Sequence, residues 1–205
     1  MNKNVVVVDL DGTLYSINTF HHYLKFIFIK SISTIRFWLS VRLIMLFIRR
    51  ILGFVSHAEM KYRVLSWTAN YNIDHQKFAS SIKKYHNNLH NLETNTFHHK
   101  ILATAAPSCY ASIIATNHGF NHCVATTYTQ EGITSFVENS KEAKKENVTQ
   151  LLKSLNLNEI NTLITDHIDD LPLMKISKEV ILINPSSELI KELNDHNIKF
   201  KSELH

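Results

Sequence analysis

The chain opens on four consecutive valines, Val5 to Val8, closed by the acid Asp9. A run that is apolar at every position, rather than at alternate ones, predicts a central parallel strand over Asn4–Asp9, covered on both faces. From about Ser16 to Leu92 the apolar spacing turns helical. Phe20, Tyr23, Leu24, Ile27 and Phe28 fall at i, i+3, i+4, i+7 and i+8, the spacing of one helix face. Ser56 and Glu59 form a capping box before Met60. This stretch predicts three to five helices and no strands.

After it, strand and helix patterns alternate. Lys100–Thr104 predicts a second strand, ended by Ala105-Ala106-Pro107 and followed by a helix through Tyr110 and Ile114. His122–Thr126 predicts a third strand, and a small hairpin is expected around Glu131-Gly132. Lys144 opens a helix with Val148, Leu151, Leu152 and Leu155 on one face. Asn161–Asp166 and Glu179–Asn184 predict two more strands, and Pro185 is expected to start a last helix. Such alternation implies an α/β fold, a parallel sheet with helices on both faces. Sheets of this kind gather binding residues at the carboxyl ends of their strands. Asp9, Thr104 and Asp166 each fall at such an end.

Composition adds boundaries to this picture. At 205 residues, with 44% hydrophobic and 20% charged positions, the chain can bury one substantial core plus a modest insertion. Cys109 and Cys123 form neither a CxxC pair nor a disulfide framework, which suits a reducing cytoplasm. The start MNKNVVVVDLDG does not read as a signal peptide. The longest unbroken apolar run in the helical stretch is Leu43 to Ile48, far short of the roughly 20 residues a membrane span needs. The net charge of +4 is unevenly placed: eight Lys or Arg, Arg36 among them, and only Glu59 lie between Phe20 and Arg63. A basic, aromatic-rich segment can face an anionic substrate or an anionic membrane surface. Nucleic-acid binding is not expected at this charge without a recognised module. The thirteen histidines include no HExxH, so they do not read as a zinc site.

The chemistry concentrates at Asp9-Leu10-Asp11-Gly12-Thr13-Leu14. Two acids at i and i+2 can point the same way at a strand end, and a turn eased by Gly12 exposes backbone N–H groups to phosphate oxygens. Carboxylate oxygens are what Mg²⁺ prefers, in a shell completed by phosphate and water. A carboxylate beside that cation can attack phosphorus, and a second can protonate the leaving oxygen. An isolated DxD is more often a plain acidic turn. An apolar strand running into DxDGTL is a much sharper signal.

VVVVDLDGTL resembles the first motif of the haloacid dehalogenase-like superfamily, and three further motifs follow in order. Leu102-Ala103-Thr104-Ala105-Ala106-Pro107 is similar to the second, a strand-end hydroxyl that binds the phosphoryl group, with Tyr110 in a tyrosine place. The third is a lysine opening a helix; the Lys-x-x-x-Val spacing selects Lys144, while Lys141 and Lys145 in the same charge run stay open as alternatives. Thr165-Asp166-His167-Ile168-Asp169-Asp170-Leu171-Pro172 resembles the fourth, with Thr165 in place of a glycine and His167 in place of a serine. The resemblance implies a Rossmann-like core with an aspartyl-phosphate mechanism. Asp9 would be the nucleophile, Asp11 the acid and base, and Thr104 and Lys144 phosphoryl-binding. Gly12, Thr13 and Ala105 would line the substrate, Mg²⁺ would sit on Asp9, Asp11 (through its carbonyl) and Asp166, and Asp170 would support the site.

Ninety-four residues lie between Asp9 and Thr104. In the resembling family an insertion there is a helical cap that excludes water and selects the substrate. The implied division is a core of 1–15 and 96–205 with an all-helical cap at 16–95. Phosphoserine phosphatases share the layout but carry a glutamate where Asn18 stands. The phosphatidylglycerophosphate phosphatase type resembles the chain more closely through Thr19-Phe20 and the long apolar, basic stretch after it. The expected partner is therefore a phosphorylated small molecule or a phospholipid, with peripheral membrane contact through the cap as one reading of residues 20 to 55. The plainer reading makes those apolar residues the cap's own core. The alternative to an enzyme is a catalytically quiet relative whose basic cap binds a membrane or a protein.

Overall fold

A computed structural model describes residues 4–33, 37–94 and 96–205. Arg36 of the basic run and Asn95 at the expected domain boundary lie outside the described residues. Strand β1 (Val5–Val8) is followed by five helices: α1 (Thr19–Ser33), α2 (Phe37–Ile51), α3 (His57–Thr68), α4 (His75–Ile82) and α5 (His90–Thr94). Then come β2 (His99–Pro107), α6 (Ser108–Asn117), β3 (His122–Thr126), α7 (Lys141–Ser154) and β4 (Ile160–Thr165). The chain closes with α8 (Leu171–Met174), β5 (Ser177–Ile183), α9 (Ser187–Asp195) and β6 (Lys201–Glu203).

The six strands form one sheet in the order β3-β2-β1-β4-β5-β6, and every pairing is parallel. The valine run explains the centre. All four valines of β1 are buried, with Val6 and Val8 in one core cluster and Val5 and Val7 in the other. The first cluster joins one sheet face to α1–α4 and α6; the second joins the opposite face to α7, α8 and α9. The helices between β1 and β2 therefore share their apolar core with the sheet. The chain builds outward from β1 through β2 to β3, then returns to the other side of β1 for β4, and such a switch leaves a crevice at the carboxyl ends of β1 and its neighbours.

Three expectations are corrected and one strand is added. The hairpin at Glu131-Gly132 is a bend with a 3₁₀ turn at Ile133–Ser135, because Gly132 (φ +101°) turns the chain where no strand stands to pair. Helix α7 opens at Lys141, after Ser140, rather than at Lys144, since its exposed first turn carries no apolar periodicity. Pro185 does not start the last helix; Ser186 is its N-cap, accepting from the Leu189 amide at 3.1 Å. Strand β6 was not anticipated. The Ser56 cap before Met60 is present, its hydroxyl accepting from the Glu59 amide at 3.1 Å. Among the described residues no helix is long and apolar enough to cross a membrane.

Candidate active site

The Asp9 amide still pairs with β4, donating to the Ile164 carbonyl at 2.9 Å. The chain then turns tightly. The Tyr15 amide donates to the Leu10 carbonyl at 2.9 Å and the Gly12 amide to the Tyr15 carbonyl at 2.7 Å. Gly12 has φ +80°, and a Cβ there would lie 2.0 Å from Asp166 Oδ2. The glycine thus leaves room for a carboxylate arriving from the end of β4. Its own N–H is committed to the Tyr15 carbonyl. Thr13 is fully buried and donates its hydroxyl to Asp166 Oδ1 at 2.8 Å. It holds Asp166 and does not line the cleft.

Asp9, Asp11, Gly12, Thr104, Ala105, Lys144, Asp166 and Asp170 line one cleft of about 370 Å³ at the strand ends. The three candidate lysines separate here. Lys144 is buried, its Nζ 2.8 Å from Asp9 Oδ1 and 2.6 Å from Asp170 Oδ1. Lys141 is exposed against Asp169, and Lys145 pairs with Glu142. Thr165, the residue standing in the glycine place, donates its hydroxyl to Asp170 Oδ2 at 2.7 Å and so secures that acid. His167, in the serine place, accepts from the Asp169 amide at 3.1 Å through Nδ1 and caps the turn that delivers Asp170.

The β2–β3 register shifts between Ala103 and Pro107, a bulge that re-aims the strand end beside the site. Thr104 Oγ1 accepts from the Ala106 amide at 3.0 Å, which leaves the hydroxyl proton free to donate into the cleft. The Ala105 carbonyl accepts from Thr126 Oγ1 at 2.7 Å and from Lys61 Nζ at 2.6 Å. Lys61 is buried on α3 and also pairs with Glu138. Asn139 donates to the Thr104 carbonyl at 2.9 Å and the Val124 carbonyl at 3.0 Å, locking the ends of β2 and β3 together. Neither Lys61 nor Asn139 was anticipated. Lys61's partners are distant in sequence, and an asparagine before a charge run carries no local mark.

Electrostatics follow from burial. Desolvation pushes the Asp9 carboxyl up to about 8; the Lys144 ammonium opposes this, while Asp170 and Asp166 add to it. Asp166 is raised chiefly by burial, against the Thr13 hydrogen bond. Asp11 is also raised by burial, opposed by the hydroxyl and amide of Thr19, whose N–H lies 2.8 Å from Asp11 Oδ1. Burial lowers Lys144, but Asp170 and Asp9 outweigh it and hold the ammonium above its ordinary value. Asp9, Asp11, Asp166 and Asp170 share the cleft with the buried Lys144 ammonium, which pairs with Asp9 and Asp170 only, an excess of carboxylate that a divalent cation suits. Among the described residues no group of three or more His, Cys, Asp or Glu side chains is arranged to hold a metal by itself. The expected set needs only two carboxylates and a main-chain carbonyl, the remainder falling to phosphate and water.

A parallel α/β fold with an acid-rich cleft at its switch point defines a class, and the comparisons give the family. Residues 6–175 match haloacid dehalogenase-like hydrolase, and the chain belongs to that family. Its fold is also similar to a protein of unknown function from Bordetella pertussis Tohama I (TM-score 0.74, 19% identity), covering 98% of this chain and 99% of that one. An apo phosphoserine phosphatase (TM-score 0.60, 14% identity) covers 98% of this chain and 94% of its own. A phosphoserine phosphohydrolase-like protein from Francisella tularensis subsp. tularensis SCHU S4 (TM-score 0.57, 18% identity) covers the same shares. No curated protein matches the chain.

Proposed function

We propose that the chain is a Mg²⁺-dependent phosphomonoester hydrolase that works through an aspartyl phosphate on Asp9. The observation that carries this is the placement of Asp9 in one cleft with Lys144, Thr104, Asp11 and Asp166. An Asp9 oxygen attacks phosphorus as the bond from phosphorus to the leaving oxygen breaks. Asp11, whose burial favours a held proton, gives that proton to the departing alkoxide and releases the alcohol. Asp11 then takes a proton from water as the water oxygen attacks phosphorus, breaking the bond to Asp9 and freeing orthophosphate. Thr104 donates to a phosphoryl oxygen, and Lys144 offsets its charge. Asp9, the Asp11 carbonyl and Asp166 would hold a magnesium ion, which supplies electrostatic stabilisation of the phosphoryl oxygens.

On this reading α1–α5 form a cap. Ser16, Ile17 and Asn18, at the approach to α1, line the cleft, and the α1 N-terminus binds Asp11 through Thr19. The substrate class is a phosphorylated small molecule or a phospholipid; the phosphatases among the fold's relatives favour the former as a starting panel. Cys109 and Cys123 are unpaired, which agrees with a reducing cytoplasmic setting.

The test is phosphate release from an aryl phosphate with Mg²⁺ or with chelator, for the native chain and Asp9→Asn. The expected result is Mg²⁺-dependent turnover that falls about 10³-fold or more in the variant. Turnover equal in both would refute the role of Asp9. No turnover across a broad panel would favour the non-catalytic binding protein instead.

A further inference from the structure

Helix α2 carries more apolar surface than its packing uses. Leu39, Leu43 and Leu46 are buried in the core shared with α1 and α3. The rest of the helix is apolar too, yet faces outward: Phe37, Trp38, Ile44, Met45, Ile48 and Ile51 are all exposed, Trp38 at 79%. Leu52 and Phe54 beyond the helix, and Ile29 and Ile32 on α1, extend the same exposed apolar character. The plainer expectation that the apolar residues of 20 to 55 form the cap's own core holds for Phe20, Tyr23, Ile27, Leu39 and Leu43 but not for these outward ones. At 100° per residue, Ile51, Ile44, Phe37, Ile48, Met45 and Trp38 span one arc of about 140° on α2, away from Leu39 and Leu46. A helix apolar on both sides belongs between two apolar phases, and exposed patches of this extent mark contact surfaces.

Charge selects the second phase. Neither α1 nor α2 contains an Asp or Glu, whereas Lys25, Lys30, Arg42, Arg49 and Arg50 all stand on them. Arg42 and Arg49, seven residues apart, flank one edge of the exposed arc. A groove of about 570 Å³ between the two helices, lined by Leu24, Phe28, Leu43, Ile44, Phe47 and Met60, has Lys25 and His21 among its walls. Apolar side chains framed by cations alone match a surface that is apolar within and anionic at its rim. Two copies meeting through this face would set like charges against each other. Each helix has 15 residues, about 22 Å at 1.5 Å per residue, too short for the roughly 30 Å hydrocarbon layer.

We propose that the α1–α2 face docks on an anionic lipid bilayer, lying in the interface with Trp38, Ile44 and Ile48 among the acyl chains and the arginines at lipid phosphates. The proposal stands apart from the catalytic one, because binding is measured without substrate and turnover is measured on a soluble aryl phosphate.

The full chain is sedimented with vesicles of phosphatidylcholine alone or mixed with phosphatidylglycerol. Native protein is expected to bind the anionic vesicles in preference and to weaken with salt. A Trp38→Glu/Ile48→Glu pair and, separately, Arg49→Glu are each expected to lose about tenfold or more in binding while keeping soluble turnover. In the native chain, lipid with brominated acyl chains is expected to quench tryptophan emission, a readout that needs no variant. Absence of vesicle binding, variants that bind as well as native, or no quenching would overturn the proposal. So would a stable dimer in solution that the Trp38→Glu/Ile48→Glu pair converts to monomer, since the face would then belong to a second copy.

Discussion

Lys144 Nζ lies 2.8 Å from Asp9 Oδ1, although 135 positions separate the two residues. The same ammonium lies 2.6 Å from Asp170 Oδ1, so one buried cation serves two buried carboxylates. Replacing Lys144 with Met leaves both acids without their counter-charge. Removing one partner from a buried pair costs about 3 kcal/mol. Thermal unfolding should register that loss, together with a fall in turnover. Lys141→Ala and Lys145→Ala touch solvated pairs and should each change stability by no more than about 0.5 kcal/mol. If Lys145→Ala reproduced the Lys144 phenotype, the assignment of the lysine would fail.

Gly12→Ala places a methyl against Asp166 Oδ2 in a backbone region that disfavours side chains. The carboxylate must move, and a shift near 1 Å at such a site costs about 100-fold in rate. Steady-state kinetics over a Mg²⁺ titration should show a lower kcat and a higher Mg²⁺ requirement. Native behaviour on both counts would show that Asp166 does not need that space.

Thr165 is the clearest departure from the family's fourth motif, and it has a use: its hydroxyl binds Asp170. Thr165→Val strips a hydrogen bond from a buried carboxylate and should destabilise by about 1–3 kcal/mol, whereas Thr165→Ser should stay near native. Chemical denaturation of the two variants checks this. Equal losses in both would point to packing rather than the hydrogen bond.

These contacts show what the sequence carries and what it leaves out. The valine strand, the DxDGTL turn and the order of the acids are local patterns, so β1, the switch point and the site acids were legible. The lysine was legible only in part: the Lys-x-x-x-Val spacing selects Lys144, but the charge run keeps Lys141 and Lys145 open until burial against Asp9 separates them. Lys61 is invisible for the same reason: its partner Ala105 is 44 positions away. Strand β6 has three residues, none of them apolar, and forms through pairing with β5 and through Glu203 accepting from the His90 amide at 2.6 Å. The exposed face of α2 misled in the other direction, since apolar periodicity marks a contact face without saying what covers it.

His118 should subtract stability on mild acidification. Burial, then the stacked His86 ring and Lys83, push the His118 imidazole down to about 4 from an ordinary 6.5. The unfolded chain therefore takes up a proton first as pH drops. The difference in bound protons favours unfolding from about 6.5 down toward 4, and stability returns above that window. Burial displaces His57, His75 and His86 in the same direction. His118 is only half-buried, so solvent screening limits its share. Asp9, Asp11 and Asp166, held above their ordinary values, act in the opposite sense, so the measurement is a difference: His118→Gln should gain Tm relative to the native chain as pH falls through this window. A Tm difference between variant and native chain that stays constant across the window would contradict the argument.

The covalent step is the centre of the account. Native protein turning over an aryl phosphate in Mg²⁺, quenched and reduced with borohydride, should convert the phosphorylated aspartate to homoserine. Mass spectrometry of the peptide containing Asp9 should then show the change at that position, and Asp9→Asn should show none. Robust turnover with position 9 unmodified, or with the label on another side chain, would contradict the account.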